Sequence, residues 1–295
     1  MKKDKMKKRI MLVMLIVLLA LLTGCQRNTD ASGNTLPEKI IYLTTPWKDM
    51  LNESFFTAIF VYPLSQCVNW LGENLHSSVL GVIITTVIYN ILTLSLSIKS
   101  TVSTQKMQML QPELTAIQAK YAGRDDDNAK MQQAQEMQAL YNKHGINPLG
   151  SLVTPFLTFP ILIAMYYAVQ RAEVVCNGTF AGIPLSTTPL AAFKDLSTGW
   201  PIAIMFVLMA VTQLLSSKVP SWLAERKKKQ SSSYRAYKDV NNTNKQTNMM
   251  MYSMVAIVII IGMKWPAAMT VYWLVNSVVN ILKTVFIQWR YIDNE

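Results

Sequence analysis

Residues 79–98 read VLGVIITTVIYNILTLSLSI, and this stretch decides the fold. Thr86, Asn90, Thr93 and Ser97 fall at i, i+4, i+7 and i+11, so on a helix they stack along one face. The run is otherwise largely apolar and carries no charge. Roughly 20 residues at ~1.5 Å each match the hydrocarbon core of a bilayer. The stripe fills only the half of the run nearest Lys99, while Val79, Val82 and Ile83 continue the same face as hydrocarbon. A half-length polar stripe predicts a cavity open to one side of a membrane and closed to the other.

Composition points the same way. The chain is 51% hydrophobic and only 15% charged, where a soluble domain carries about 25% charge. Residues 1–24 read as a targeting segment. Lys2, Lys3, Lys5, Lys7, Lys8 and Arg9 precede a short apolar core, Ile10 to Leu22, that is too short for a comfortable span. The core runs into Leu22-Thr23-Gly24-Cys25, which resembles a bacterial lipobox. Cys25 is therefore expected to carry a covalent lipid, a diacylglycerol with or without an N-acyl chain, rather than to follow an ordinary signal peptide or an uncleaved anchor. Two or more acyl chains give the stable anchoring that one does not. Cys67 and Cys176 both fall on the extracellular side, where a disulfide is permitted, but no spacing links them and two unrelated free thiols are the stronger expectation.

Residues 25–52 are polar, with Pro37 and Pro46, and are expected to form an extracellular tether. Residues 53–72 place Phe56, Ile59, Phe60, Leu64, Cys67 and Leu71 on one face, with Pro63 in the middle. An amphipathic helix lying in the outer interface is expected there. The first crossing is then 79–98, running inward to a cytoplasmic helical hairpin at 99–148. Further spans follow at 149–170, 200–217, 249–263 and 267–287, leaving 288–295 as a short cytoplasmic tail. The hairpin carries Lys99, Lys106, Lys120, Arg124, Lys130 and Lys143. The 218–248 loop carries Lys218, Arg226, Lys227, Lys228, Lys229, Arg235, Lys238 and Lys245, whereas the 171–199 loop holds only Arg171 and Lys194. Positive charge collects on the cytoplasmic side, which sets the orientation. In the hairpin, Met107, Leu110, Leu114, Ile117 and Tyr121 form one apolar seam, weakly echoed by Met131, Ala134, Gln138 and Tyr141.

With this topology, polar residues collect in the inner halves of all the spans: Thr154 and Thr158, Thr212 and Gln213, Tyr252 and Ser253, Asn276 and Asn280. Any one hydroxyl would be accounted for by bonding to its own backbone or to a neighbouring helix. The shared bias predicts a wet vestibule open to the cytoplasm. An ion-coupled transporter would place charged groups near mid-membrane, and only Lys283, near an inner end, is charged within a span. A channel needs polar lining through both halves. An enzyme needs a chemical constellation, and His76 and His144 stand apart with no metal-ligand cluster near them. The class left is a device that admits a polar segment halfway beside a greasy exit.

Gln111-Pro112-Glu113-Leu114 with Lys120-Tyr121, Asn147-Pro148-Leu149-Gly150, Phe159-Pro160-Ile161-Leu162 with Tyr166-Tyr167-Ala168, and Pro266-Ala267 followed by Tyr272-Trp273 and Asn276 occur in this order. In this respect the chain resembles the YidC/Oxa1/Alb3 membrane protein insertases, in the lipoprotein form without a large extracytoplasmic domain. The resemblance implies an all-α membrane protein, not an enzyme, with five core spans around a hydrophilic groove open to cytoplasm and lipid. It implies insertion and folding of small membrane proteins, alone or beside the Sec translocon. Implied partners are nascent membrane proteins and lipids, with the Sec translocon, the signal recognition particle receptor and the ribosome as further candidates. A non-inserting assembly factor or translocon accessory is the alternative.

The substrate groove expected from the residues and the resemblance together comprises Thr86, Asn90, Thr93, Ser97, Thr154, Thr158, Gln213, Trp273, Asn276 and Asn280. The resemblance places a groove arginine at position 90, and this chain has asparagine there. An uncharged groove follows, with a weak preference for acidic client tails, since Asn offers only neutral hydrogen bonds. The chain ends Arg290-Tyr291-Ile292-Asp293-Asn294-Glu295, without the basic tail that docks ribosomes in some family members.

Overall fold

The computed structural model describes residues 35–124, 126–146, 148–230 and 242–292. Cys25, Asn147 and residues 231–241 and 293–295 lie outside the described residues. The side chains of Ser97, Thr154 and Thr158 are likewise outside them. The described chain is helical apart from one two-residue antiparallel hairpin, in which β1 (Thr179–Phe180) pairs with β2 (Ile183–Pro184), and an isolated bridge between Ile41 and Ala172. It divides into two compact units, 1–86 with 157–206 and 264–272, and 87–156 with 207–263 and 273–295.

The first unit holds α1 (Trp47–Glu53), a π-helical turn (Thr57–Val61), α2 (Tyr62–Asn74) and the start of α3 (Ser78–Leu92). It also holds most of α7 (Pro148–Arg171), α8 (Glu173–Cys176), α9 (Pro189–Lys194), and the first turns of α10 (Leu196–Gln230) and α12 (Ala267–Tyr291). The π turn has a local cause. Pro63 has no N–H to give, and the ladder slips so that Tyr62 N–H donates to Thr57 O, five residues back. Ile41, Met50, Phe56, Ala58, Val61, Ala164 and Ala168 form the core of this unit.

The 25–52 tether expectation is corrected over residues 35–52. Ile41 is fully buried, and its carbonyl accepts from Asn69 Nδ2 at 2.7 Å. Its N–H donates to Arg171 O at 2.7 Å. Arg171, the last residue of α7, is also buried. Its guanidinium donates from Nη2 to Glu53 Oε2 at 2.7 Å, from Nη1 to Glu53 Oε1 at 3.1 Å and from Nε to Lys39 O at 2.7 Å. Within 53–72, Ile59 and Phe60 of the expected apolar face are exposed and Phe56 is buried, while Ser65 and Asn69, off that face, are fully buried. Asn69 is buried because both ends of its amide cross-link backbone, with Val174 N–H donating to Oδ1 at 3.2 Å. At the N-terminus of α12 the orphan N–H groups are satisfied from the 185–187 loop: Ala267 donates to Thr187 O and Ala268 to Leu185 O.

The second unit holds the rest of α3, then α4 (Leu94–Met109), α5 (Gln111–Lys120) and α6 (Asp127–Lys143), α11 (Asn242–Gly262), and the remainder of α10 and α12. The 79–98 stretch is not one helix: α3 ends at Leu92 and α4 begins at Leu94. At the junction Thr93 Oγ1 donates back to Tyr89 O at 2.9 Å and to Asn90 O at 3.3 Å. Such back-bonding competes with the ladder and bends helices. Helix α10 continues to Gln230 and α11 starts at Asn242, so both ends of the expected 218–248 loop are helical.

Among the described residues, two helices, over Leu196–Arg226 and Ala267–Tyr291, are long and apolar enough to cross a membrane, and Ser78–Leu92 is a shorter apolar helix. Only 28% and 33% of the two long apolar windows are buried inside the protein, which is too little for core helices of a soluble domain. Ile204, Val207, Leu208 and Val211 on α10 and Leu282, Val285, Phe286 and Trp289 on α12 are exposed. Hydrocarbon covers such faces at no cost, and water does not.

In the hairpin, Leu110, Leu114, Leu140 and Ile146 form a core with Met107, Ile117, Met137 and Tyr141 packed on it. The first arm's expected seam is present, whereas on α6 Met131 is 57% exposed and Met137 and Leu140 pack instead. Asp126 caps α6 by accepting from Ala129 N–H at 3.0 Å. Glu136 accepts from Lys120 Nζ and, at 2.9 Å, from Tyr121 Oη. The bond from Lys120, then that from Tyr121, holds the Glu136 carboxyl below its ordinary value, and the same bond raises Lys120. The carboxylate's contribution is therefore present above ~4.3 and lost as pH falls through the depressed value, while the ammonium's is present below ~10.4 and lost as pH rises through the raised one. Protection of the α5 and α6 amides, taken as exchange relative to the intrinsic rate at each pH, is expected to be flat from about pH 5 to 10 and to fall in acid. Glu136→Gln should remove the acid limb, and an unchanged limb would assign it elsewhere.

Candidate functional site

The opening stripe divides into two kinds of residue. Thr86 is fully buried, and its Oγ1 donates to Val82 O at 2.7 Å along its own helix, as Thr93 does. Thr212 bonds its helix in the same way, to Leu208 O at 2.9 Å. Asn90 behaves differently. It is 2% exposed and reaches out of α3 to α12. Its Nδ2 donates to Asn276 Oδ1 at 3.2 Å, and the neighbouring Tyr89 Oη donates to the same oxygen at 2.9 Å. One face of α3 is thereby tied to one amide of α12. Lower on α12, Ser277 Oγ donates to Gln213 Oε1 at 2.5 Å, which joins α10 to the cluster.

The second partner of Asn90 is a cation. Lys283 Nζ donates to Asn90 Oδ1 at 2.8 Å. The two contacts of Asn90 fix its amide. With Nδ2 engaged by Asn276, Oδ1 faces the ammonium. The expectation of an uncharged cluster is therefore corrected: charge enters from α12. Sequence reasoning set Lys283 aside by its place near a helix end. Its face was the better guide, since Asn276, Asn280 and Lys283 fall at i, i+4 and i+7 and so share one side. The four-carbon stem lets the head reach along the helix while apolar surface covers the stem. Tyr89 was also missed, as one more aromatic in an apolar run.

Of the other expected residues, Trp273 is buried at 7% exposure, whereas Asn276, Asn280, Gln213 and Thr93 are half-buried. Ser97, Thr154 and Thr158 are on described helices, α4 and α7, but their side chains lie outside the described residues. The structure thus brings Asn90, Asn276, Gln213, Ser277 and, unexpectedly, Tyr89 and Lys283 into two linked contacts within one unit. Cys67 and Cys176 are both free thiols.

Among the described residues no three His, Cys, Asp or Glu side chains stand together as a metal site. The cluster is built of amides, hydroxyls and one ammonium. Such groups can hydrate a polar segment or pair with an anion, and they offer no nucleophile with an adjacent base.

Comparison with known proteins adds an independent line. The family profile of the 60Kd inner membrane protein matches residues 70–294. "Membrane protein insertase YidC 2" of Bacillus anthracis is 30% identical over 285 residues, covering 96% of this chain and 94% of that protein. "Membrane protein insertase YidC" of Alkalihalophilus pseudofirmus is 28% identical over 291 residues, covering 97% and 96%. "Membrane protein insertase YidC 1" of Halalkalibacterium halodurans is 28% identical over 278 residues, covering 94% and 90%.

Proposed function

This chain belongs to the 60Kd inner membrane protein family, and we infer that it is a membrane protein insertase of the cell membrane that performs no covalent chemistry. The observation that carries this is the match of nearly the whole chain to proteins named insertases. The polar cluster of Asn90, Asn276 and Lys283, set among helices with exposed apolar faces, supports it.

Five spans enclose a hydrophilic groove that opens to the cytoplasm and to lipid. The Lys/Arg excess in 99–148 and 218–248 supports this orientation. Thr86, Asn90, Thr93, Ser97, Thr154, Thr158, Gln213, Trp273, Asn276 and Asn280 line the groove. Cys25 anchors the N-terminus to the outer leaflet through its lipid. A client's hydrophilic tail enters the groove, where water and amides replace part of the hydration it would lose in hydrocarbon. Its apolar segment then passes into lipid. The driving force is that partition, roughly 25 cal/mol per Å² of apolar area removed from water. Neither nucleotide nor metal takes part. The Sec translocon, the signal recognition particle receptor and the ribosome are the partners that would deliver clients, and Lys227-Lys228-Lys229 is a surface for anionic lipid.

The test is reconstitution. Full-length protein in liposomes is expected to insert a short single-span client without ATP, read as a protease-protected fragment. Crosslinkers placed at Thr86 and Asn280 are expected to capture the client in transit. Capture without protection would assign the chain to non-inserting assembly factors.

A further inference from the structure

The first unit holds a cavity of about 280 Å³ that shares no residue with the polar cluster. Its buried wall is apolar. Val169 of α7, Val175 of α8, Leu185 just after β2 and Ala268 of α12 meet there, and each is at most 4% exposed. Its open edge is polar, because Asn177 and Ser186 line the same cavity and are exposed to solvent.

The remaining polar groups are neutral. Thr35 Oγ1 and Cys176 Sγ both donate to Gln170 O, at 2.8 Å and 3.1 Å. Two bonds fill that carbonyl, while the Thr35 hydroxyl keeps its own lone pairs for accepting. Burial pushes the Cys176 thiol up, so it stays protonated at neutral pH. Among the described residues that line the cavity, none is charged.

Size and chemistry together select a ligand. A dry cavity of about 150 Å³ lined by apolar side chains takes benzene, so this one has room for a ring with a short head. The apolar wall gains from covering a ring. An amide and a hydroxyl at the edge offer both donors and acceptors to the head. An ionised head would lose its hydration there and meet no counter-charge.

We propose that this cavity binds a small neutral amphiphile, its apolar body against Val169, Val175, Leu185 and Ala268 and its hydroxyl or amide head at Asn177 and Ser186. The lining comes from the 35–41 segment, α7, α8, the loop after β2 and α12, so a bound ligand clamps five parts of the unit. A ligand held by the folded form alone stabilises the docking of the 35–41 segment. On the orientation proposed for the spans, it arrives from outside the cell. The site stands whether or not the insertase reading does.

The experiment uses full-length protein in detergent micelles, with 4-fluorobenzyl alcohol as the probe and fluorine NMR line broadening as the readout. Its charged counterparts are 4-fluorobenzylamine and 4-fluorobenzoate. Broadening of the alcohol is expected to saturate with a Kd of about 1 mM, and the two charged probes should not saturate. Ser186→Trp places a ring in the cavity from its exposed edge and is expected to abolish saturation. Should that variant fail to fold, Asn177→Trp, also on the exposed edge, takes its place. At a probe concentration ten times the Kd, alkylation of Cys176 should slow about tenfold while Cys67 is unaffected. Broadening that rises without limit, equally in wild type and variant, is partition into micelles and overturns the proposal. So does saturation that survives the Trp variant, equal binding of the charged probes, or an equal effect on both thiols.

Discussion

Replacing Glu53 with alanine is expected to destabilise the protein by about 3–5 kcal/mol, the cost of leaving a buried charge without its partner. The Arg171 side chain is 2% exposed and that of Glu53 13%, so little water can replace the carboxylate. Of the guanidinium's four bonds, the two to Glu53 vanish, while those to Lys39 O and Met50 Sδ stay. Lys39 Nζ, 3.4 Å from Glu53 Oε1, also loses an ion pair. Residues 35–53 should then detach from α7 and α8. The double variant Glu53→Ala with Arg171→Met is expected to recover much of the loss, because an apolar side chain carries no desolvation cost. Thermal unfolding in detergent, followed by alkylation of Cys67 and Cys176, would read both. Equal stability of the single and double variants would show that the charge itself is not what the cluster protects.

The second large effect is expected at Gly81. A Cβ there would sit 2.7 Å from Val68 O and 3.0 Å from Gly72 Cα, so α2 and α3 touch backbone to backbone. Rotating a side chain cannot relieve such a contact. Gly81→Ala is expected to cost about 1–3 kcal/mol by overpacking, with Gly81→Val worse. Gly72→Ala is the informative comparison, since the atoms nearest its Cβ would be those of the Val174 side chain, at 2.8 Å. It should be the milder of the two in the same unfolding assay. The reverse order would place the close approach elsewhere.

These two sites also show what the sequence could and could not convey. Helical periodicity displayed whatever repeats. The stripe through Asn90 and the hairpin arm of Met107, Leu110, Leu114 and Ile117 both announced a face, and the structure packs those hairpin residues together. Gly81 gave no sign, because close approach depends on the helix lying opposite. Residues 35–52 looked like a tether because their anchors are single residues without a period, and the partner of the adjoining Glu53 lies far along the chain. The burial of Asn69 and Ser65 had no sign in the sequence, because it depends on the carbonyls and amides that satisfy them. Lys283 was misjudged for a related reason. Its position along the helix suggested an interfacial charge, while its face belonged with Asn276.

The Glu53–Arg171 contact also has a place in time. Its two residues are 118 apart. At synthesis rates of about 5–20 residues per second, Glu53 is polymerised some 6–24 s before Arg171. During that interval nothing in the chain can close the contact. Residues 35–53 therefore settle late, after α7 has been made, and their docking reports that the nascent molecule has come that far.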